Sequence, residues 1–247
     1  MSDAALSNGP ENGPRNQVVS REDWLAARMR HLEREKEFTR IRDQLAAERR
    51  RLPWVRVETP YTFEGPDGRE TLGDLFAGRS QLVVYHFMLG PGWAEGCPSC
   101  SFLCDHLDGA LVHLANRDVT LLAVSRAPLE EIEAFKKRMG WRFKWVSSFG
   151  AAFNRDYHVS FTPEEMSREE VYYNYRTGPF PSEEGPGASV FFKDEAGDIF
   201  HTYSAYARGL DLLIGTYNVL DLVPKGRDEA ELPYTMAWIR HHDRYDE

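Results

Sequence analysis

Apolar positions along this chain change their spacing several times, and each change predicts an element. Between Val19 and Pro53 they fall into two helical stripes, Trp24, Leu25, Met29 and Leu32, then Phe38, Ile41, Leu45 and Leu52. The step from Leu32 to Phe38 breaks the phase, which predicts a bend, two helices or a helix wrapped around the body. Ser20 followed by Asp23 marks the start of this arm and Pro53 its stop. The stretch "YTFEGPDGRETLGDLFAG" (61–78) reads as strand, Pro-Asp-Gly turn, strand and short helix. "QLVVYHFML" (81–89) is a near-continuous apolar run, the pattern of a strand buried on both faces. A helix is predicted over about 98–116, with Leu103, Leu107, Ala110, Leu111 and Leu114 on one face. "DVTLLAVSRA" (118–127) is a second buried strand. "PLEEIEAFKKRMG" (128–140) is an amphipathic helix opened by Pro and closed by Gly, and "FKWVSS" (143–148) is a short strand.

The next segment, 161–188, is polar, aromatic and punctuated by Pro and Gly. It reads as a surface insertion, with a lid over the site as the alternative. "SVFFKDEAGDIFHTYS" (189–204) is a hairpin turning at Asp194–Gly197, and 209–224 carries a last helix. Strands alternating with helices predict an α/β fold with parallel strands, made mixed by the closing hairpin. The domain reading is a disordered tail at 1–17, a helical arm at 18–53, and one α/β domain at 54–247 carrying the insertion.

Composition narrows the function. The chain has 247 residues, 42% of them hydrophobic, enough for a sizeable core. A net charge of −9 argues against a nucleic-acid surface, and the basic run "ERRR" (48–51) beside acidic neighbours reads as a solvated helix face. No stretch approaches the roughly 18 consecutive apolar residues of a membrane helix. The N-terminus lacks the charged start and apolar middle of a signal peptide, so the expected location is the cytoplasm, where thiols stay reduced. A homodimer, built through the arm, is left open.

The three cysteines of the chain, Cys97, Cys100 and Cys104, all lie in "LGPGWAEGCPSCSFLCDHLDG" (89–109), between a buried strand and a helix. Pro98 suits the first helical turn, which puts Cys97 at the helix N-terminus and at the lip of the fold. Cys100 falls beneath it and Cys104 deeper on the core face. A helix N-terminus favours an anion by about 0.3–1 kcal/mol, up to about 2 when partly buried. That is enough to bring a thiol near neutral pH, although Glu95 opposes it. Inside a regular helix, residues four apart hold their Cβ atoms about 5–6 Å apart, too far for a disulfide, which needs about 3.5–4.5 Å. Cys100 and Cys104 therefore do not pair. Cys97 caps the helix and can swing in, which makes Cys97 the nucleophile and Cys100 the resolving thiol. Cys104 reads as a small buried hydrophobe, with an auxiliary thiol as the alternative. Trp93, Pro98, Ser99 and Pro186 are candidates to line the site, and Ser125 and Arg126 end a strand beside it.

A zinc site would need four convergent ligands. Cys100, Cys104 and His106 span too much helix circumference, and His86, His113 and His201 would have to join through the fold. His241 and His242 read as surface residues. No metal and no cofactor are expected. "GPGWAEG" (90–96) is not followed by Lys-Ser/Thr, so a phosphate loop is unsupported.

The run "CPSCSFLCDHLDGALVHLANRDVTLLAVSRAPLEEIEAFKKRMGWRFKWVSSFGAAFNRDYHVSF", with "LPWVRVETPYTFEGPDGRETLGDLFAGRSQLVVYHFML" and "FHTYSAYARGLDLLIGTYNVLDLVPKGRDE", resembles the DUF899 family over roughly 20–245. That resemblance implies a bacterial thioredoxin-like protein and a dithiol–disulfide oxidoreductase, with a protein or small-molecule disulfide as partner. The family pattern "CPSCSFWAD" has Ala where this chain has Cys104, so the resemblance gives the third thiol no role. The back half is also similar to peroxiredoxins, which implies the peroxiredoxin-like variant of the fold. Their Pro-x-x-x-Thr/Ser-x-x-Cys motif is not matched, since Gly90 and Ala94 stand at the two positions and Pro91 is off by one. A thiol peroxidase is thus the second reading, and a non-enzymatic metal-binding or interaction module the third. Thioredoxins also place a cis-proline before the hairpin strand; here Pro186 precedes Gly187.

Overall fold

The computed structural model describes residues 16–245. The tail expected at 1–17 lies almost wholly outside them. The chain divides into two compact units, one running to Leu52 and including Asn218–Asp228, the other Pro53–Tyr217 with the residues from Glu229 onward.

The first unit is dominated by α1 (Arg21–Arg49), a single uninterrupted helix of 29 residues, where the broken apolar phase predicted a bend, a pair or a wrap. No residue of it is buried, so a continuous apolar stripe is not what holds it together. It has no Gly or Pro, its Ser20 side chain accepts the Asp23 N–H (3.1 Å), and pairs such as Lys36–Glu33 (2.9 Å) run along its surface.

The second unit is built on one eight-stranded sheet and a two-stranded one. In chain order come β1 (Val55–Arg56), β2 (Thr62–Gly65), β3 (Gly68–Thr71), β4 (Gln81–His86), α2 (Pro98–Cys104), α3 (Leu111–Ala115), β5 (Val119–Ser125), α4 (Leu129–Met139) and β6 (Lys144–Ser147). Then follow α5 (Phe153–Asp156), α6 (Pro163–Ser167), β7 (Val171–Tyr173), β8 (Arg176–Gly178), β9 (Gly187–Lys193), β10 (Ile199–Tyr206) and α7 (Gly215–Leu220), of which Gly215–Tyr217 belong to this unit. The large sheet runs β1-β10-β9-β4-β5-β6-β2-β3. β4, β5 and β6 are parallel, while β9 is antiparallel to β4 and β10 to β9. A βαβ unit followed by a hairpin docked on its first strand is the thioredoxin-like arrangement, with helices flanking a mixed sheet.

Period-two alternation divides the core. Leu82 and Val84 of β4 join Leu122 and Val124 of β5 in a cluster with Phe63, Phe76 and Phe153. Tyr85 and Ala123 point to the other face, toward α2 and the loop that precedes it. α4 behaves as its pattern predicts: Ile132, Phe135 and Met139 are buried, and Gly140 closes it in the left-handed conformation (φ 68°).

The helix predicted over 98–116 is broken. α2 ends at Cys104, a turn and a 3₁₀ segment follow, and α3 resumes at Leu111. The polar residues in the gap have other work. Asp105 accepts the Trp141 Nε1–H (2.8 Å), and Asp108 accepts the backbone N–H groups of Arg142 and Phe143 (each 2.9 Å). α2 also lacks an exposed face between Cys100 and Cys104, because Tyr217 and Trp238 pack on Phe102.

Segment 161–188 is more than surface decoration. It contains α6, capped by a Thr162–Glu165 capping box, and the β7–β8 hairpin, and it buries Phe161, Val171 and Glu184. No helix among the described residues is long and apolar enough to cross a membrane.

Candidate active site

The site forms at the carboxyl ends of β4 and β5, where open α/β sheets gather ligands. After β4 the chain is pinned step by step. Phe87 N–H donates to Val124 O (2.9 Å), Ala127 N–H to Leu89 O (3.0 Å), and Cys97 N–H to Met88 O (3.1 Å). Gly96 is buried against two aromatic rings. A Cβ there would lie 2.5 Å from Phe87 and 2.8 Å from Phe135, so only glycine lets the chain pass this close. Cys97 then caps α2, its carbonyl accepting both the N–H and the hydroxyl of Ser101 (3.0 Å each).

The three thiols are free and graded in depth, with Cys97 half-buried and Cys100 and Cys104 buried. They are also graded in acidity. The Cys97 thiol is pulled down to about 7, first by a hydrogen bond from the Cys100 thiol, against the cost of burial, and then by the backbone N–H groups of Cys100 and Ser99. Burial pushes Cys100 well up, and the charge developing on Cys97 pushes it further. Cys104 is pushed up by burial and by the carboxylates of Asp105 and Asp108. The proton shared by Cys97 and Cys100 therefore resides on Cys100. The helix terminus, expected to lower this thiol with Glu95 opposing it, supplies the smaller part through those backbone N–H groups. The larger cause is the neighbouring thiol, and Glu95 faces Arg138 (2.7 Å) and Arg244 (3.1 Å) instead.

Cys97 and Cys100 share a pocket of about 230 Å³ with Ser99 and Pro186, two of the residues expected to line the site. Pro186 sits there with every peptide bond of the described residues trans. Trp93 and Pro98 are not in the lining: Trp93 donates its Nε1–H to Glu183 (2.8 Å), and Pro98 is exposed at the first turn of α2. Cys104 lies behind the pocket wall rather than in it. Ser125 and Arg126 are not site residues either. The Ser125 hydroxyl is buried, donating to Phe87 O (2.7 Å) and accepting from Trp145 (3.0 Å). Arg126 pairs with Glu184 (2.6 Å) and Glu183 (3.2 Å). The lid reading of 161–188 gives way to a supporting one, since of that segment only Pro186 reaches the pocket.

The histidines weighed as metal ligands do not converge on the thiols. His86 is buried on the far face of the sheet, 2.8 Å from the Ser189 hydroxyl, and burial holds its pKa down near 3. His201 bonds Ser204 (2.8 Å) and His106 bonds Thr216 (2.9 Å). Among the described residues no group of three His, Cys, Asp or Glu is placed to hold a metal.

Four residues at the site escaped the sequence reading. Tyr85, fully buried, lines the pocket beside Cys100, where its hydroxyl works to lower the Cys100 thiol, and it stays neutral because burial raises it far above its ordinary value. Its signal was available, because the alternation of β4 separates it from Val84 and His86 and points it at α2. Tyr173 of the insertion donates to Pro186 O (2.7 Å) and accepts the Ala207 N–H (3.0 Å), tying together two residues of the pocket wall. Arg208, largely exposed, borders the pocket from the segment after β10. His241, expected at the surface, is buried against Phe135 (ring centroids 5.3 Å) and donates to the Gly96 carbonyl (2.8 Å). His242 is the one that remains exposed, 2.7 Å from Asp105.

The sequence profile of one family, described as "Bacterial protein of unknown function (DUF899)", matches residues 13–245. The chain belongs to the DUF899 family. No curated protein matches this DUF899 chain by sequence. Solved structures similar to it include a peroxiredoxin Q of Xanthomonas campestris, 15% identical, covering 64% of this chain and 90% of that one with a TM-score of 0.44. A peroxidoxin BcpB of Mycobacterium tuberculosis is 11% identical, covering 68% and 97%, with a TM-score of 0.44. The mitochondrial 2-Cys peroxiredoxin of Plasmodium falciparum is 13% identical, covering 69% and 92%, with a TM-score of 0.38.

Proposed function

We propose that this chain is a thiol oxidoreductase that reduces disulfides through Cys97 and Cys100. The observation that carries the reading is geometric: Cys97, half-buried at the N-terminus of α2, and the buried Cys100 line one pocket, with Cys97 drawn down by the Cys100 thiol and Cys100 pushed up by burial. The Cys97 thiolate attacks one sulfur of a substrate disulfide, forming a Cys97–substrate disulfide and releasing the other half as a thiolate. The negative charge that held the Cys100 proton is then gone. Cys100 gives its proton to the thiolate just released, with the Tyr85 hydroxyl stabilising the sulfur anion, and attacks Cys97 Sγ. The second half leaves as a thiolate, the protein carries a Cys97–Cys100 disulfide, and an external dithiol restores it.

The test is single turnover of the reduced protein. Two thiols should be lost per chain, Cys97→Ser should abolish the loss, and Cys100→Ser should trap a mixed disulfide visible by mass. Unchanged turnover in Cys97→Ser would refute the reading.

A second reading, hydroperoxide reduction, is the chemistry for which the similar solved structures are named. Within this chain it is favoured by the placement of Cys97, a thiol drawn down to about 7, in the lining of a pocket it shares with the resolving Cys100. Cys97 would become a sulfenic acid and release an alcohol, and Cys100 would condense with it, losing water. Parallel rate constants for a disulfide and an alkyl hydroperoxide on the reduced protein decide between the two.

A further inference from the structure

The pocket into which Cys97 opens is walled largely by carbon. Met88, Leu103, Pro186, Leu210, Ile214 and Met236 are among the residues that line it. Its ionic groups face each other, with Arg208 donating to Asp211 at 3.2 and 3.3 Å. The Tyr217 hydroxyl donates out of the pocket, to Glu229 (2.7 Å). An enclosed apolar cavity of roughly 150 Å³ holds a benzene ring. The 230 Å³ here is therefore room for an apolar group of about six to eight carbons. Both redox thiols lie in the lining, so a group seated in this space has its attached atom at Cys97.

We propose that this pocket receives one apolar arm of a low-molecular-weight disulfide and so presents its sulfur to Cys97. This rests on the disulfide-reductase reading and names its substrate class. An apolar arm gains by leaving water, while a peptide segment would bring amides for which the walls offer few partners. A polyanionic disulfide such as that of glutathione meets an arginine already paired with Asp211. The reaction is the two-electron exchange given above: the bound arm leaves as an alkyl thiolate, is protonated by water, and the Cys97–Cys100 pair is oxidised.

The experiment mixes reduced full-length protein, freed of reductant, with diethyl, dibutyl, dihexyl, dioctyl and didecyl disulfide and with glutathione disulfide. Rates are normalised to those of a free small thiol. The normalised rate should rise by up to about four-fold for each methylene added to the seated arm, until the pocket is full, and glutathione disulfide should be slowest. Met236→Trp narrows the space and should cost dioctyl disulfide the most and diethyl disulfide the least. Ile214→Ala enlarges it and should move the optimum to a longer arm, which keeps the proposal testable if the tryptophan variant does not fold. A flat series in the wild-type protein that still depends on Cys97 overturns the apolar-arm proposal and leaves the reductase reading standing. So does an optimum that Ile214→Ala fails to move. No reaction with any disulfide overturns the reductase reading, and the proposal with it.

Discussion

His241 Nε2 lies 2.8 Å from the carbonyl oxygen of Gly96, so a residue near the end of the chain holds the peptide that immediately precedes Cys97. The imidazole is buried, and Arg138 donates to its other nitrogen at 3.2 Å. His241→Ala removes the bond and leaves the Gly96 carbonyl without its partner. It should cost about 1–3 kcal/mol of stability, read from urea denaturation, and should also slow alkylation of Cys97 in the protein that remains folded.

Gly96 itself admits no side chain. Gly96→Ala would press a methyl group into Phe87 and Phe135, both buried, so the loop or the rings must move. The expected loss is about 1–3 kcal/mol on denaturation, comparable to other overpacked cores.

The acidity of Cys97 has a measurable source. Its alkylation rate should rise with pH through an inflection near 7, because the thiolate is the nucleophile and accumulates above that pH. The largest cause of the lowered value is the hydrogen bond from Cys100. Cys100→Ala should therefore move the inflection toward that of an ordinary thiol, and Cys100→Ser, which keeps a donor, should move it less. An inflection unmoved in Cys100→Ala would place the cause elsewhere.

Tyr85→Phe separates the two steps. The hydroxyl lowers the cost of ionising Cys100, and hydrogen bonds to charged groups contribute about 1.5–3 kcal/mol. Release of the second substrate thiol should slow by about ten-fold or more, while attack by Cys97 keeps its rate. Stopped-flow measurement of the two releases checks both.

Arg126 tests the support around the site. Its partner Glu184 is buried, and burial raises that carboxyl even with Ser160 and Arg126 beside it. Arg126→Ala leaves the carboxylate without its counter-ion and should cost about 3–5 kcal/mol near neutral pH. A carboxyl whose folded pKa is raised further is favoured protonated, so the deficit should shrink as pH falls toward the acid range. Denaturation curves at two pH values supply the test.

Much of this protein is written in local pattern. The continuous apolar run at 81–89, the Pro-to-Gly helix at 128–140 and the turn at Asp194–Gly197 each carry their own chemistry, and each forms where that chemistry puts it. The order of depth of the three thiols follows from helical spacing alone. α1 is legible as a helix, but its continuity is not, because a surface helix without Gly or Pro does not need an unbroken apolar phase.

The tertiary structure decided what surrounds the thiols. Asp105 and Asp108 look like ordinary helix residues until Trp141 and the backbone of Arg142 and Phe143 arrive to bond them, and then the helix breaks. His241 looks like a surface residue until the chain returns it to Gly96 across more than a hundred positions. Tyr85 and the apolar walls of the pocket come from β4, α2 and segments beyond β10, which no sequence window spans. Which residues share a helical turn or one side of a strand is fixed by backbone geometry a few residues long. Which donor reaches which sulfur depends on contacts between distant segments, and those exist only once the chain has folded.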